Sequence, residues 1–508
     1  MKTDTSEILE QVEDILNIGI ALSTQKDHNQ ILAMIVSEAR RITRADAGTL
    51  YLLEGDHLLF KITQNDSMKL FKGGMGEHIN LPPVILCPEN VSAYVAMNKQ
   101  IVNIPDVYKA EGFDFSGPKE YDQITGYRTI SMLVIPLENH EGQVIGVLQL
   151  LNAKDEEGYT IPFAPYYVKV ISSLASQAAI SLTNMQFLTD IDKIFHSFVE
   201  VMTTAIDSRT PYTANHTRRV ARLAGELANL IDMQTVGKWA DVYFDEDRTA
   251  QLVMAGWLHD IGKIVTPLAV MNKASRIEAQ IELVLQRLEL IEAYLKMQYL
   301  EEKLSLKDNA DHNTLIALDN NWREKKYFVQ ETRDLIKRVN NPATLVDNEI
   351  IEQLKEVASL TYLDQEGNHH PWLTETELTA LSVAKGTLTE SERQVIEEHV
   401  SVTKCLLDKI PFCQKLKKVP FFASIHHERL DGKGYPYGLT GDDIPLEGRI
   451  LALVDVFDAL TAADRPYKKA FSIEQALKTL EFMATNSELD EDLFKLFIEN
   501  TVWERVEC

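Results

Sequence analysis

Two short stretches constrain this 508-residue chain more than any others: WLHDIGKI, which sets His259 beside Asp260, and HHERLDGKGYP, which opens with His426 and His427. In the first, the charged pair follows Trp257 and Leu258 in sequence that otherwise reads as a buried helix. A carboxylate left unpaired in such a place is costly, so a cation beside Asp260 is the economical explanation. Lys263 follows Asp260 by three residues, on the same helix face, where it can reach an anionic ligand. The second stretch continues into a segment dense in glycine and proline, which reads as a loop following a helix that ends near His427. Loops carried on rigid scaffolds are where function concentrates. His216 and His399 add two further imidazoles, and RILALVDVFDALTAADRPYKK places Asp455 and Asp458 one turn apart on an apolar helix. Metal sites gather such imidazole and carboxylate donors from several elements. Arg465 and Lys468 follow as local cations for a phosphate group.

The charge balance narrows what such a site would take. Lysine and arginine number 51 against 76 acidic residues, a formal charge of −25. A field of that sign repels polyphosphate, which argues against a nucleic-acid polymer or an anionic membrane as partner. A small phosphate ligand stays compatible, because metals and local cations offset the field. Four widely spaced cysteines without a CxxC pair point to a reducing compartment rather than a disulfide framework. The acidic start MKTDTSEILEQVED lacks the layout of a signal peptide and no apolar run reaches 18 residues, so the expectation is a soluble, cytoplasmic protein.

From about Asp207 to Asn486 these motifs resemble an HD-GYP phosphodiesterase domain. The family signature is similar to H-D-x-x-K followed by H-H-E-x-x-D-G-x-G-Y-P, which here reads HDIGK at 259–263 and HHERLDGKGYP at 426–436. The resemblance implies an all-helical bundle holding two divalent metals, iron or manganese, and hydrolysing cyclic di-GMP to pGpG or GMP. It carries over His216, His259, Asp260, His399, His426, His427 and Asp455 as metal ligands, with Asp260 bridging. Asp260 and Lys263 become the catalytic pair, and Lys263, Gly434, Tyr435, Pro436, Arg465 and Lys468 the substrate contacts. Arg465 stands ten residues after Asp455, where common members place it nine after, and no acid neighbours His216 as in trinuclear members. Two rival readings are a silent cyclic di-GMP receptor and an HD-class phosphohydrolase for another cyclic dinucleotide. The intact ligand set speaks against the first and the full GYP motif against the second.

The front half reads differently. Apolar residues recur at three and four over Glu7–Leu22 and again over His28–Thr43, predicting two helices. AGTLYLLEGDHLLFKI and TISMLVIPLENHEGQVIGVLQLLN each read as two strands around a tight turn. Together they predict an α+β domain with an antiparallel sheet. NIPDVY, TGYRTISMLVIPL, GQVIGVLQLLN and SQAAISLTN resemble a GAF domain, which implies a regulatory unit cupping a small-molecule ligand. Asn152 followed by Ala153, and Phe163 followed by Ala164, depart from the motif of the nucleotide-binding members.

The sequence therefore predicts a GAF-like sensor over 1–165, a connecting helix over 166–206 and an HD-GYP domain over 207–508. In the connecting helix, Ile171, Leu174, Ala178, Ser181, Met185 and Leu188 form a narrow seam that fits either packing on its own domain or a parallel coiled-coil homodimer. About 110 residues, 275–384, interrupt the HD-GYP pattern, and helical periodicity over Ile277–Ser305 and Trp322–Val339 predicts an extended helical hairpin there. His369 and His370 within it read as solvated loop residues.

Overall fold

The computed structural model describes residues 19–21, 27–74, 76–209, 215–306, 312–364, 366–462 and 470–506. Contacts divide the chain into two compact units, Met1–His196 and Ser197–Cys508. The helix predicted over Glu7–Leu22 falls outside the described residues except for residues 19–21, which are helical.

In the first unit, helix α1 (His28–Thr43) starts where the Asp27 side chain accepts from the backbone of Asn29 and Gln30, satisfying amide donors that a helix start otherwise leaves orphaned. Its face of Ile31, Leu32, Ile35, Val36 and Ala39 is buried. Both predicted hairpins form: β1 (Ala45–Glu54) with β2 (His57–Asn65), and β6 (Met132–Glu138) with β7 (Val144–Lys154). They share one antiparallel sheet with β3 (Leu70–Gly73) and β5 (Val102–Ile104), ordered β3-β2-β1-β7-β6-β5. Two-residue strands β4 (Val84–Ile85) and β8 (Thr160–Ile161) pair with β2 and β7. Helices α2 (Val91–Asn98) and α3 (Ser116–Thr125) lie between β4 and β6 in the chain. The sheet has two apolar faces: one meets α1, the other a cluster of Val91, Val95, Val107 and Phe115.

Helix α4 runs unbroken over Pro165–Asp207. Ile171, Leu174 and Ala178 belong to the buried core shared with α1 and the sheet, and only Leu188 of the predicted seam is a large exposed apolar residue. That seam is therefore domain packing through its first half, because the i, i+3, i+4 stripe that suits a coiled coil equally suits one flat apolar neighbour.

The second unit is built mostly of helices: α5 (His216–Asp232), α6 (Glu246–Leu258), α7 (Leu268–Met271), α8 (Ile281–Leu306), α9 (His312–Asn340), α10 (Asn348–Ser359), α11 (Glu375–Leu381), α12 (Glu390–Leu407), α13 (Val419–Ala423), α14 (Leu446–Thr461), α15 (Ile473–Thr485) and α16 (Glu491–Glu499). The predicted helical hairpin within 275–384 is α8 with α9. The segment also has a core of its own, in which Val284, Leu288, Ile291, Val329, Ile336, Leu354 and Trp372 are buried. Strands β9 (Thr361–Leu363) and β10 (His369–Pro371) pair antiparallel, so this region is not all-α and His369 and His370 sit on a strand rather than a loop. Both histidines are exposed, and His370 Nε2 lies 2.9 Å from Asp364. Where the segment leaves and rejoins the bundle, fully buried Arg276 donates to the carbonyls of Val339, Asn341, Thr344 and Val383. A guanidinium carries five N–H donors to satisfy when taken out of water, and these carbonyls take four of them. Among the described residues, no helix is long and apolar enough to cross a membrane.

Candidate metal centre

Helix α6 ends at His259, and the chain turns through Asp260 into a 3-10 turn, Ile261–Val265, that carries Lys263. The turn lies hard against α12: a Cβ on Gly262 would sit 1.9 Å from the carbonyl oxygen of His399. Only glycine permits that approach. Thr403, one turn beyond His399, fixes the contact by donating to the His259 carbonyl (3.0 Å) and accepting from the Gly262 amide (3.0 Å). His216 opens α5, His426 and His427 follow α13, and Asp455 and Asp458 lie on α14.

These elements converge on one largely buried cluster of side chains. The two oxygens of Asp260 face two different sets of imidazoles. Oδ2 lies 3.5 Å from His216 Nε2 and 3.3 Å from His259 Nε2, while Oδ1 lies 3.4 Å from His399 Nε2 and 4.0 Å from His426 Nε2. Asp455 Oδ1 closes the first set at 3.1 Å from His216 Nε2 and 3.7 Å from His259 Nε2, and its Oδ2 stands 4.0 Å from His427 Nδ1. Two ligand groups result, His216–His259–Asp260 and His399–His426–His427.

A divalent cation fits this donor set on the evidence of its orphans. The Nε2 atoms of His259, His399 and His426 and Oδ1 of Asp260 are buried without a hydrogen-bond partner, a costly state unless a cation occupies the space they face. Each of these rings is locked from behind, Nδ1 of His259, His399 and His426 lying 2.7, 2.5 and 2.8 Å from the carbonyls of Gly256, Ile396 and Ala423. A carbonyl accepts, so Nδ1 carries the proton and Nε2 presents its lone pair, the tautomer that a metal requires. His216 is locked differently, by Asp458 Oδ2 at 2.6 Å from its Nδ1, and Asp458 is held in turn by Arg219.

Charge follows from this crowding. Burial works to raise the Asp260 and Asp455 carboxyls, but His259 and Lys263 outweigh it at Asp260, and His216 and His259 at Asp455, holding both well below the carboxylate range. Burial lowers His426 well below its ordinary value, helped by His427 and His259, and pushes His427 down to about 4. Ionised carboxylates and neutral imidazoles are the metal-binding forms. At His216 and His259 burial is overcome, by Asp260, Asp455 and Asp458 at the first and by Asp260 and Asp455 at the second, so that without a cation each holds a proton, His216 well above its normal value and His259 at about 9. A cation between these groups would take the place of those protons.

Residues 27–182 match the GAF domain family, and residues 213–364 and 376–493 each match an HD domain family. The chain carries a GAF domain followed by an HD region. Over 97 residues it is 43% identical to 3'3'-cGAMP-specific phosphodiesterase 3 of Vibrio cholerae serotype O1, covering 19% of this chain and 20% of that protein. Over 95 residues it is 46% identical to the cyclic di-GMP phosphodiesterase response regulator RpfG of Xanthomonas campestris pv. campestris, covering 19% and 25%. A cyclic di-GMP phosphodiesterase of Thermotoga maritima is 36% identical over 101 residues, covering 20% and 26%. The chain thus spans 20 to 26% of the length of these curated relatives.

Within the HD region, all seven sequence-predicted ligands meet in this cluster, and Lys263 Nζ lies 2.5 Å from Asp260 Oδ2. Tyr435 stands at its side, its ring centroid 4.8 Å from that of His427 and its amide donating to the His427 carbonyl. The turn through Gly434 is close-packed, since a Cβ there would meet the Arg429 amide nitrogen at 2.4 Å. Arg465 and Lys468 lie outside the described residues. Sequence reasoning missed three supporting residues and gave a fourth no role. Asp458 was visible only as a partner one turn from Asp455. Arg219, three residues after His216, steadies it. Thr403 follows His399 by four and so shares its helix face. Glu428, buried directly after the two histidines, accepts from the amides of Tyr437 (2.7 Å) and Leu439 (2.9 Å) and folds the loop back over the site.

Proposed function

We propose that the HD region is a metal-dependent phosphodiesterase that hydrolyses a cyclic dinucleotide, with cyclic di-GMP the first substrate and pGpG or GMP the product. The observation that carries the reading is the pair of imidazole sets facing opposite oxygens of Asp260, with the Nε2 atoms of His259, His399 and His426 unclaimed. Two divalent ions, iron or manganese, suit this donor set, with His216, His259 and Asp455 serving one, His399, His426 and His427 the other, and Asp260 bridging. Divalent ions held there supply Lewis-acid polarisation of a phosphodiester and lower the pKa of water. Lys263, whose ammonium is held charged by Asp260 and Asp455 against the pull of burial, offsets the charge that develops on the phosphoryl oxygens. Tyr435 offers a ring face for a guanine, with Gly434 and Pro436 shaping the wall beside it, and Arg465 and Lys468 are the remaining phosphate contacts.

A second substrate, 3'3'-cGAMP, is favoured by the names of relatives such as the Vibrio cholerae enzyme. The GAF domain, within 1–165, is proposed as a regulatory sensor for a small ligand, joined through residues 166–206 to the phosphodiesterase over 207–508, and the protein as a homodimer. The exposed residues Phe187, Ile191, Ile194, Phe198 and Val201 recur at four and three along α4 and support such pairing. The test is turnover by anaerobically purified, iron- or manganese-loaded protein offered cyclic di-GMP and 3'3'-cGAMP in parallel. Linear product from either supports the reading. Tight binding of cyclic di-GMP without turnover of either would make the protein a receptor instead.

A further inference from the structure

Three of the four locked histidines lean on the carbonyl three residues earlier in their own chain, whereas His216, which begins a helix, turns its Nδ1 to Asp458 Oδ2 at 2.6 Å. Asn215 adopts the left-handed conformation (φ 66°) and makes no side-chain capping bond. The missing acceptor comes from the end of another helix. Asp207, the last residue of α4 and 7% exposed, takes the hydroxyl of Thr217 on both carboxylate oxygens, at 2.9 and 3.0 Å, and accepts from the Thr217 amide as well. Thr217 is 2% exposed and directly follows His216. A carboxylate at a helix N-terminus satisfies orphan amides and meets the positive end of the dipole. Two residues on, Arg209 donates to the carbonyls of Lys263 (3.0 Å) and Ile264. One short stretch of chain therefore touches the backbone beside a ligand and the turn that carries Lys263.

We infer that Asp207 is a positioning residue for the metal centre: through Thr217 it fixes the first turn of α5, and with it the placement of the His216 ring between Asp260, Asp455 and Asp458. Only the turnover arm of the test rests on the phosphodiesterase reading; the metal-affinity arm does not.

Full-length wild type, Asp207→Asn, Thr217→Val, Thr217→Ser and the Asp207→Asn/Thr217→Val double variant are compared for manganese affinity by chelator competition, for kcat and KM, and for tryptophan fluorescence as a check of the fold. Asp207→Asn and Thr217→Val are each expected to weaken manganese binding about tenfold, in the range of lost outer-shell partners, while Thr217→Ser stays within about twofold of wild type. Turnover falls in kcat with KM little changed, and the double variant loses no more than the worse single one, because both cut the same link. Manganese affinity of Asp207→Asn equal to wild type overturns the inference. So does a loss in Thr217→Ser as large as in Thr217→Val, or a loss that appears only where the tryptophan signal reports unfolding. If wild type hydrolyses no cyclic dinucleotide while the manganese losses appear as expected, the substrate reading falls and the role of Asp207 stands.

Discussion

Buried polar side chains are treated in opposite ways in the two units. In the GAF domain Asp122 is saturated: Tyr108 Oη, the Thr129 amide and the Thr129 hydroxyl all donate to it, at 2.8 to 2.9 Å. Asn152 likewise uses its whole inventory, accepting from the amides of Ile130 and Ser131 and donating to Tyr127 Oη and the Arg128 carbonyl. These groups tie loops to the sheet and leave nothing over for a ligand. In the HD region the buried imidazoles of His259, His399 and His426 are satisfied on one nitrogen only, and the other is kept open toward the shared cluster. The difference separates polar groups that hold a fold from polar groups held by one, and it is visible in hydrogen-bond accounting before any ligand is considered.

The largest expected effect breaks the open set at its centre. Asp260→Asn keeps the volume but replaces the carboxylate that faces both imidazole groups by a neutral amide. Turnover is expected to fall at least about a hundredfold, equivalent to about 2.7 kcal/mol of barrier, with metal content reduced and the fold retained. Wild-type turnover in this variant would refute the place given to Asp260. One layer out, Asp458→Asn removes the charge that fixes the His216 ring and leaves Arg219 without its partner there. An expected loss of about 10- to 100-fold in metal affinity follows, read by chelator competition. An unchanged affinity would mean that the ring orientation is set by packing alone.

The saturated network should respond in stability rather than in metal. Asp122→Ala strands a tyrosine hydroxyl and a threonine amide, and is expected to destabilise the GAF domain by about 1–3 kcal/mol while metal content stays at wild type. All five tryptophans lie beyond residue 196, so circular dichroism should lose its first transition early while tryptophan fluorescence unfolds at the wild-type midpoint. Coincident shifts in both probes would show that the two responses are not separable. The smallest expected effect comes from deleting residues 275–384 and joining the ends with a short linker. Every ligand lies outside this segment, and Arg276 and Val383 are already in contact at its base, so metal content should be unchanged. Loss of metal from a folded deletion protein would assign the segment to the site.

Much of this was legible in the residues. Period-two and period-3.6 patterns located both hairpins, α1, α8 and α9, because those signals arise within a few residues of chain. HDIGK and HHERLDGKGYP announced a metal centre for a similar reason: adjacent ligands in apolar sequence need a cation wherever they end up. Even the locking of His259, His399 and His426 is local, since in each the ring reaches the carbonyl three residues back. The seam of α4 was ambiguous, because an apolar stripe does not name its partner, and Ile171, Leu174 and Ala178 found theirs in their own core. The β9–β10 pair escaped notice because strands of three residues carry too little pattern to be read.

What tertiary structure alone decided is concentrated at His216. The His216 ring is oriented by Asp458, 242 residues away, and the first turn of its helix is tied to Asp207 in the helix before. Sequence determined which residues could bind a metal; the packing of α4 and α14 against α5 determined how that last ring would point, because a side chain without a local partner takes its geometry from whatever the fold brings beside it.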